Sequence, residues 1–240
     1  MSVDDPSSQD RSADTGFRSQ RQAVRSYVLR AGRMTEAQRR AIEELGPLYT
    51  LPFDDKLLKS SEVFPKPKPL VLEIGFGMGL ATWQIALGRP EFNYLGVEVH
   101  SPGVGRLLME IRDRGISNLK IIQHDAVEVL QAMIAPGGLA GLHIFYPDPW
   151  PKKRHHKRRL MRPVLVDLMA SRLAPGAYLY FVTDMEDYAN QTLKVLGACG
   201  ALKNPYEGFA PKIQWRPRTK FEGRAMEESR PCFELFFVKA

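Results

Sequence analysis

The sequence predicts an α/β fold, a doubly wound and mostly parallel sheet of seven strands with an antiparallel strand at the C-terminus. Three observations support this prediction. From residue 69 onward, short β-rich runs alternate with helical runs. A glycine-rich stretch interrupts the chain after the first apolar run, where the first loop of such a sheet contacts its ligand. The 240 residues, with 44% hydrophobic content, also suffice for one sizeable core.

The first five strands are predicted from runs rich in branched and aromatic residues. They lie at residues 69–74, 93–99, 119–123, 142–146 and 177–183. The helix between the second and third strands is the clearest, because Ser101 and Pro102 suit its first turn and Gly115 ends it. Further helices are predicted at 80–88, at 126–135, from Pro163 to the residues before Pro175, and at 187–200. The five strands therefore run parallel, with helical crossovers.

The C-terminal segments predict the end of the sheet. Residues 213–215 and 233–238 have no full crossover between them. Antiparallel neighbours need only a short connection, whereas parallel neighbours need a crossover. We therefore expect these two segments to close the sheet as an antiparallel pair.

The chain before residue 69 is predicted to divide into a tail and a helical extension. The tail is polar, mixed in charge and poor in large apolar side chains, which predicts flexibility. In the extension, Thr35 and Gln38 have the spacing of a capping box, and Gly46 with Pro47 predicts the end of that helix. The predicted tail, extension and main domain span residues 1–26, 27–68 and 69–240.

Charge and cysteine content restrict the partners. The formal net charge of +7 and the pI of about 9.4 favour a polyanionic partner. Cys199 and Cys232 form no CxxC pair, and His100, His124 and His143 lack metal-ligand spacing, so we expect no metal site. No apolar run approaches 18 residues and no secretory signal is visible, so we expect a cytoplasmic protein that does not bind membranes. Whether the chain is a monomer or a homodimer stays open.

Acidic residues stand at or next to the end of every predicted parallel strand. They are Glu73, Glu98, Asp125, Asp148 and Asp184. In an open α/β sheet, ligands bind outside the carboxyl ends of the strands, next to the point where the strand order reverses. A single acid of this kind is often only a helix cap. Five together indicate a ligand site at this edge of the sheet.

The glycine-rich loop indicates which ligand the site binds. Glycines lie at 75, 77 and 79, but the fingerprint for a dinucleotide pyrophosphate needs its third glycine where Leu80 stands. The loop, together with Glu98 after the next strand, suits a nucleoside ligand without phosphates. S-adenosylmethionine fits that description, and the loop resembles the first motif of class I methyltransferases.

The stretch FYPDPWPKKRHHKRRL, residues 145–160, indicates the substrate. Pro147 and Pro149 enclose Asp148 and stiffen the backbone that presents it. Directly after this loop, residues 152–159 carry six Lys or Arg side chains and two histidines. A charge run is often only a solvated surface. Beside a ligand site and of one sign, it favours contacts with phosphates.

Four motifs together resemble the bacterial tRNA (guanine-N7)-methyltransferase family. They are YVLRAGRMT before the main domain, PDPWPK after the fourth strand, Thr183-Asp184 after the fifth, and TKFEGR at 219–224. The resemblance covers roughly residues 27 to 238. It implies a class I, Rossmann-like methyltransferase fold and a tRNA partner. The implied reaction is transfer of a methyl group from S-adenosylmethionine to N7 of guanine 46 in the variable loop.

The resemblance also implies roles for single residues, with Asp148 as the catalytic residue and as a cofactor contact. Its other implied cofactor contacts are Glu73, Gly75, Gly77, Gly79, Glu98 and Asp125. Its implied substrate contacts are Lys152, Asp184, Thr219, Lys220, Phe221 and Glu222. Its implied RNA contacts are Arg154, His155, His156, Lys157, Arg158 and Arg159. The sequence departs from the family pattern at Tyr146, where phenylalanine is expected.

Other functions stay open at this point. The chain could methylate another RNA or a small molecule with the same cofactor, although the basic run has no use in a small-molecule enzyme. It could also be a methyltransferase-like module that binds RNA without turnover, although its glycine loop and all five strand-end acids are intact. A nicotinamide dehydrogenase is disfavoured by the glycine spacing.

Overall fold

The computed structural model describes residues 26–27, 32–218, 222–223 and 231–240. Within them lies one seven-stranded sheet in the order β3-β2-β1-β4-β5-β7-β6. The strands are β1 (Leu70–Ile74), β2 (Asn93–Val97), β3 (Leu119–Ile122), β4 (Leu139–Phe145), β5 (Leu173–Thr183), β6 (Leu202–Lys203) and β7 (Phe233–Lys239). Strands β1 to β5 pair in parallel, and β7 is antiparallel to β5 and β6. The predicted fold class is confirmed.

The strand order reverses at β1. This strand lies between β2 and β4, with Leu72 opposite both Leu95 and Leu142. The chain builds outward to β3 on one side and then returns to form β4 on the other side of β1. The loops that leave β1 and β4 therefore separate to opposite faces and open a crevice between them.

The helices are α1 (Glu36–Tyr49), α2 (Ser60–Val63), α3 (Leu80–Gly88), α4 (Ser101–Arg114), α5 (Ala126–Ala132), α6 (Pro163–Arg172) and α7 (Glu186–Ala198), with a 3-10 helix at Lys153–Arg158. Helix α4 begins and ends at the predicted residues. Pro102 lies in its first turn, and Gly115 caps its end in the left-handed conformation with φ of 62°. Helix α6 begins at Pro163 as predicted.

Helix α1 confirms the predicted capping box but not the predicted end. The amide of Gln38 donates to Thr35 Oγ1 at 3.2 Å, and the amide of Thr35 donates to Gln38 Oε1 at 2.9 Å. The prediction that Gly46 and Pro47 end the helix was wrong, because α1 continues to Tyr49. A proline deletes one helical hydrogen bond, but the amide of Thr50 still donates to the Gly46 carbonyl at 2.8 Å and closes the last turn.

Helix α1 packs directly on α4. Gln38 Nε2 donates to the carbonyl of Pro102 at 3.1 Å. A Cβ atom on Gly105 would lie 2.6 Å from the Gln38 carbonyl oxygen, so the two backbones approach as closely as glycine permits. The extension is thereby joined to the helix that follows β2, close to the crevice.

The prediction of a strand at residues 213–215 was wrong. The outer partner of β7 is β6, and Ala210 makes only an isolated bridge with Glu234. The chain then turns, with the amide of Arg216 donating to the Ile213 carbonyl at 3.0 Å. The turn carries the Arg216 side chain into the protein, where it is 1% exposed and pairs with Glu234 at 2.6 Å. This buried pair outweighs the strand preference of the apolar residues before it.

Two apolar layers cover the faces of the sheet. Leu70 and Leu72 of β1 join the layer beneath α5, α6 and α7, whereas Val71 joins the layer beneath α1, α3 and α4. This alternation is the period-two pattern of a strand buried on both faces. Complete burial of a side chain such as Leu72 stabilises the fold by about 1.5–3 kcal/mol.

Candidate active site

A cavity of about 330 Å³ opens at the carboxyl ends of β1, β2 and β4, at the point where the strand order reverses. Its volume lies within the range of small-molecule sites. Of the residues implied as cofactor contacts, Gly75, Gly77, Glu98 and Asp148 line the cavity. The other three, Glu73, Gly79 and Asp125, are not among the lining residues.

The glycine loop after β1 forms one wall of the cavity. Its three glycines all have left-handed backbone, with φ of 71° at Gly75, 57° at Gly77 and 72° at Gly79. A Cβ atom on Gly103 of α4 would lie 2.0 Å from the Gly77 carbonyl oxygen. Glycine at 103 therefore lets α4 approach the loop, and the loop keeps its bare backbone facing the cavity.

Glu98, directly after β2, lines the cavity next to the glycine loop. Its Oε2 accepts a hydrogen bond from the amide of Gly77 at 2.8 Å. Its Oε1 accepts from the amides of Val99 at 2.7 Å and His100 at 3.0 Å. A carboxylate has about four acceptor positions, so these bonds fix the group and leave about one position for a ligand hydroxyl.

Glu73 lies beneath the glycine loop rather than on the cavity wall. Its side chain is buried, with the residue 4% exposed. Burial raises the pKa of Glu73 to about 8, the neighbouring Thr82 hydroxyl acts in the opposite direction, and the charge of Glu98 raises the pKa further. The carboxyl group is therefore mostly neutral at pH 7, because burial disfavours its charged form.

Gly79 and Asp125 support the site from behind its wall. Gly79 begins α3 and faces α4, where a Cβ atom would lie 2.7 Å from Leu107 Cδ1. Asp125 caps α5 by accepting from the amide of Val127 at 2.8 Å. Its neighbour Ala126 lines the cavity. Both residues hold the elements from which the wall is built.

The loop after β4, residues 146–150, is called the Asp148 loop below. Tyr146 and Trp150 at its two ends have left-handed backbone, with φ of 52° and 44°. For bulky residues this conformation costs on the order of 1–3 kcal/mol each, and it persists only where the surrounding structure enforces it. Between them, Asp148 is exposed and lines the cavity. The two prolines and the strained ends together aim this carboxylate at the site.

The basic segment that follows, residues 152–158, contains the 3-10 helix and lies mostly at the surface. Its exposed members are Lys152, Lys153, Arg154 and Lys157. Arg158 is half-buried, with its guanidinium carbon 4.4 Å from the centre of the Trp150 ring. The pKa of His155 lies below its ordinary value, through desolvation and the charges of neighbouring lysines and arginines. The segment thus concentrates positive charge beside the Asp148 loop.

Arg159 differs from the rest of the basic run. It is 1% exposed, and its Nε donates to the Pro149 carbonyl at 2.9 Å. Its Nη2 pairs with Asp187 at 2.5 Å. A guanidinium in this position is shielded from solvent, which argues against the direct RNA contact that the sequence implied for Arg159.

Two implied substrate contacts outside the basic run, Asp184 and Glu222, are described by the structure, and neither is among the residues that line the cavity. Asp184 follows β5 and is half-buried. Glu222 is buried and accepts from Lys212 Nζ at 2.6 Å and from Arg216 Nη1 at 2.9 Å. Burial acts to raise the pKa of Glu222, but the two cations outweigh it and lower the pKa. The remaining implied contacts, Thr219, Lys220 and Phe221, lie outside the described residues.

Sequence reasoning left several residues that line the cavity without a role, among them Ser26, Tyr27, His100 and His124. Ser26 and Tyr27 lie at the boundary of the predicted tail, and the Ser26 carbonyl accepts from Trp150 Nε1 at 3.1 Å. His100 and His124 also line the cavity. His100 lies two residues after Glu98 and His124 lies directly before Asp125, and this closeness to the strand-end acids was the sequence signal that could have placed them at the site. No local pattern pointed to Ser26, because its contact is with a residue 124 positions away.

The sequence predicted neither a metal site nor a membrane span. In the part of the chain that the structure describes, no group of three or more His, Cys, Asp or Glu side chains is arranged to hold a metal ion. Among the helices formed by the same residues, none has the length and apolar character needed to cross a membrane.

Comparison with known proteins identifies the family. The family model described as "Putative methyltransferase" matches residues 67–235. The tRNA (guanine-N(7)-)-methyltransferase of Paraburkholderia xenovorans (strain LB400) is 53% identical over 219 residues, which are 91% of this chain and 84% of that protein. The tRNA (guanine-N(7)-)-methyltransferase of Thiobacillus denitrificans (strain ATCC 25259 / T1) is 52% identical over 225 residues, which are 94% of this chain and 98% of that protein.

A solved structure supports the fold. The 16S rRNA methyltransferase KamB aligns with a TM-score of 0.54 at 13% identity, over 88% of this chain and 97% of that one. At this identity the likeness concerns the fold alone. The family model and the curated relatives, together with a cavity at the expected edge of the expected sheet, lead to one conclusion: the chain belongs to the tRNA (guanine-N(7)-)-methyltransferase family.

Proposed function

We propose that this chain transfers the methyl group of S-adenosylmethionine to N7 of a guanine in tRNA, and that the guanine is number 46 of the variable loop. One observation carries this proposal. The Asp148 loop joins the cavity at the sheet edge to the exposed basic segment, so a small-molecule site and a polyanion-binding surface meet at one carboxylate. We further infer that the chain acts in the cytoplasm, on tRNA.

S-adenosylmethionine is the cofactor of this enzyme class, and the residues of the cavity fit it. Gly75 and Gly77 place bare left-handed backbone on the cavity wall, with open space where a Cβ atom would stand, as a close backbone approach to a ligand requires. Glu98 would accept one ribose hydroxyl at its remaining acceptor position, and exchange of its bond to the Gly77 amide would free a second. No phosphate-binding cradle is needed for such a nucleoside.

The chemistry needs positioning more than proton transfer. When bound, the cofactor supplies an electrophilic methyl group on a positively charged sulfur. Guanine N7 carries an available lone pair, so no base has to expose the nucleophile. The N7–methyl bond forms as the carbon–sulfur bond breaks, and the positive charge passes from sulfur to the purine. The protein must hold the two partners in line and exclude water.

Asp148 is the proposed catalytic residue, with an electrostatic or orienting role. Its carboxylate lines the cavity, so it can balance the positive charge that develops on the purine or accept hydrogen bonds from the Watson–Crick edge of the guanine. Neither role abstracts a proton. The pH profile of single-turnover methyl transfer should therefore show no essential base with a pKa near 7, and such a base would contradict this role.

The exposed side chains of the basic segment, including Lys152 at its start, are proposed to contact tRNA phosphates. The base must leave its tertiary contacts to reach the cavity, at an unstacking cost of a few kcal/mol. Phosphate contacts beside the cavity can offset that cost and set the register of the RNA. Asp184 and Glu222 are retained as proposed contacts of the guanine donors.

The deciding experiment is transfer of labelled methyl from S-adenosylmethionine to an unmodified tRNA transcript. A matched transcript carries adenine in place of the variable-loop guanine 46, and both products are digested to nucleosides. Label in 7-methylguanosine that disappears with the replacement would support the reaction and the position together. Label at another nucleoside would overturn the position. Cofactor binding without transfer to any RNA would favour a non-catalytic RNA-binding module.

A further inference from the structure

We propose that Arg159 is a positioning residue whose buried guanidinium holds the Asp148 loop in the conformation that presents Asp148 to the cavity. This inference rests on the proposed function, because it assigns to Asp148 a role in methyl transfer. It differs from the RNA contact that the basic run implied for the same residue. The inference follows from the three partners to which the Arg159 guanidinium nitrogens donate.

The guanidinium of Arg159 joins the Asp148 loop to α7. Its Nε donates to the Pro149 carbonyl at 2.9 Å, next to Asp148 in the chain. On the other side, its Nη2 pairs with Asp187 at 2.5 Å, and its Nη1 donates to Gln191 Oε1. The guanidinium carbon lies 4.8 Å from the centre of the Tyr188 ring. At 1% exposure, the group has little access to solvent or to a phosphate.

Helix α7 also fixes the chain just beyond Arg159. Gln191 Nε2 donates to the Met161 carbonyl at 3.1 Å, and the amide of Met161 donates to Tyr188 Oη at 3.3 Å. Tyr188 and Gln191 of α7 therefore hold the backbone of Met161, and Gln191 also accepts from the side chain of Arg159. The Arg159 guanidinium is placed by a rigid element and can in turn place the loop carbonyl.

The Asp148 loop needs such a restraint. Tyr146 and Trp150 have left-handed backbone, which their side chains disfavour, so the loop would relax if nothing held it. The amide of Tyr146 donates to the Val182 carbonyl at 2.8 Å and fixes one end. The Pro149 carbonyl is held by Arg159 near the other end. Loss of this second restraint would let Asp148 move away from the cavity.

The charge of Arg159 argues for the same role. Asp187 lies against the guanidinium, and the hydrogen bond from Arg159 lowers the pKa of that carboxyl group, with Arg159 and His156 charges acting in the same direction. The Arg159 charge is thus balanced within the protein and contributes little to attraction of RNA. Its removal should change catalysis more than tRNA binding.

The test compares Arg159→Lys with the matched control Arg172→Lys. Arg172 also donates from Nε to a backbone carbonyl, that of Leu130 at 2.8 Å, but it lies at the end of α6, away from the cavity. Each kcat is divided by the fraction of the protein that binds cofactor, so that misfolded protein does not lower it. We expect Arg159→Lys to lower kcat at least 10-fold, because small displacements at a reacting site are costly. Its cofactor Kd and tRNA KM should stay within about threefold of the wild type. Arg172→Lys should leave all three unchanged.

A second readout does not depend on activity. Amide hydrogen exchange of the cofactor-free protein should accelerate at residues 146–152 in Arg159→Lys, while β1 and β2 keep wild-type rates. Asp187→Asn, a surface change that keeps the size of the side chain, should shift both readouts in the same direction but less. Because the two substitutions act on one contact, the double variant should be little worse than Arg159→Lys alone.

Three results would overturn the proposal. They are a kcat of Arg159→Lys within twofold of the wild type, wild-type exchange rates at residues 146–152, and a rise in tRNA KM at unchanged kcat. The last would identify a phosphate contact instead. If the wild type transfers no methyl group to tRNA, the proposed function fails, and the hydrogen-exchange comparison still decides whether Arg159 holds the loop.

Discussion

Arg216 donates from its fully buried Nη1 to Glu222 Oε2 at 2.9 Å, which ties Glu222 of the TKFEGR motif to the sheet. The same guanidinium donates to Glu234 on β7 and, from Nε, to Tyr180 Oη on β5 at 3.0 Å. Lys212 adds a second cation on Glu222. A motif residue implied as a substrate contact is therefore also one member of a buried ionic network.

We expect a large loss of stability when Arg216, the central cation of this network, is replaced. Arg216→Met leaves the carboxylate of Glu234 buried without its ion-pair partner, which should lower the free energy of unfolding by about 3–5 kcal/mol in urea titrations. Lys212→Met is the control, because the Lys212 side chain is 37% exposed and its ion pair should contribute less than about 1 kcal/mol. Equal losses for the two variants would refute the central role of Arg216.

We expect the substitution Gly103→Ala, which adds a single methyl group, to weaken cofactor binding. The Cβ atom of Gly103→Ala would meet the Gly77 carbonyl at 2.0 Å, so the glycine loop must shift into the cavity. Isothermal titration calorimetry should show a cofactor Kd at least about 10-fold higher, because close contacts on that wall are displaced. Gly197→Ala, in α7 with open space around the new Cβ atom, should bind as the wild type does. Wild-type affinity in Gly103→Ala would exclude this account of the wall.

The exposed lysines of the basic segment predict a salt-dependent effect. The double charge reversal Lys153→Glu and Lys157→Glu should weaken tRNA binding. It should also reduce the slope of log K against log salt by about 0.7–0.9 for each phosphate that the protein no longer neutralises. Filter binding across a salt series measures this slope. Cofactor affinity should not change.

The matched control for the lysine pair lies elsewhere on the surface. Lys56 and Lys203 are also exposed, and their reversal to glutamate changes the net charge by the same amount. A control variant that weakens tRNA binding equally would show that only net charge matters. The proposed contacts at Lys153 and Lys157 would then be wrong.

Glu73 predicts how stability depends on pH. Its folded pKa of about 8 lies above the ordinary value of 4.5, so the folded state binds the extra proton between these values. Stability contributed by this group is present below pH 4.5 and is lost as pH rises towards 8, at up to about 1.4 kcal/mol per pH unit. Glu73→Gln removes this dependence.

Thermal and urea unfolding between pH 5 and pH 8 test the Glu73 prediction. The stability of Glu73→Gln relative to the wild type should increase with pH across this range. Glu91→Gln, which changes an exposed carboxylate paired with Arg89, should follow the wild-type profile. Parallel profiles for Glu73→Gln and the wild type would contradict a raised pKa.

Much of the fold follows from local sequence signals. The capping box at Thr35, the proline at 163 and the left-handed glycine at 115 act within one turn of a helix, so the residues near them suffice for prediction. The glycine loop and Glu98 were also predicted correctly as neighbours, because strands β1 and β2 are joined by a single helix. The strand expected at 213–215 failed because a buried contact between Arg216 and β7 competes with local preference.

Residue type and spacing along short stretches were enough to establish the order of the five parallel strands and their helices, the edge of the sheet at which the cavity lies and the sign of the charge beside it. The difference between Arg158 and Arg159, which are neighbours in one basic run, arises only in the folded chain. Arg159 is buried because Asp187, on a helix 28 positions later, lies where it can pair with it. Burial of a charge depends on which distant element covers it, and no local pattern contains that information.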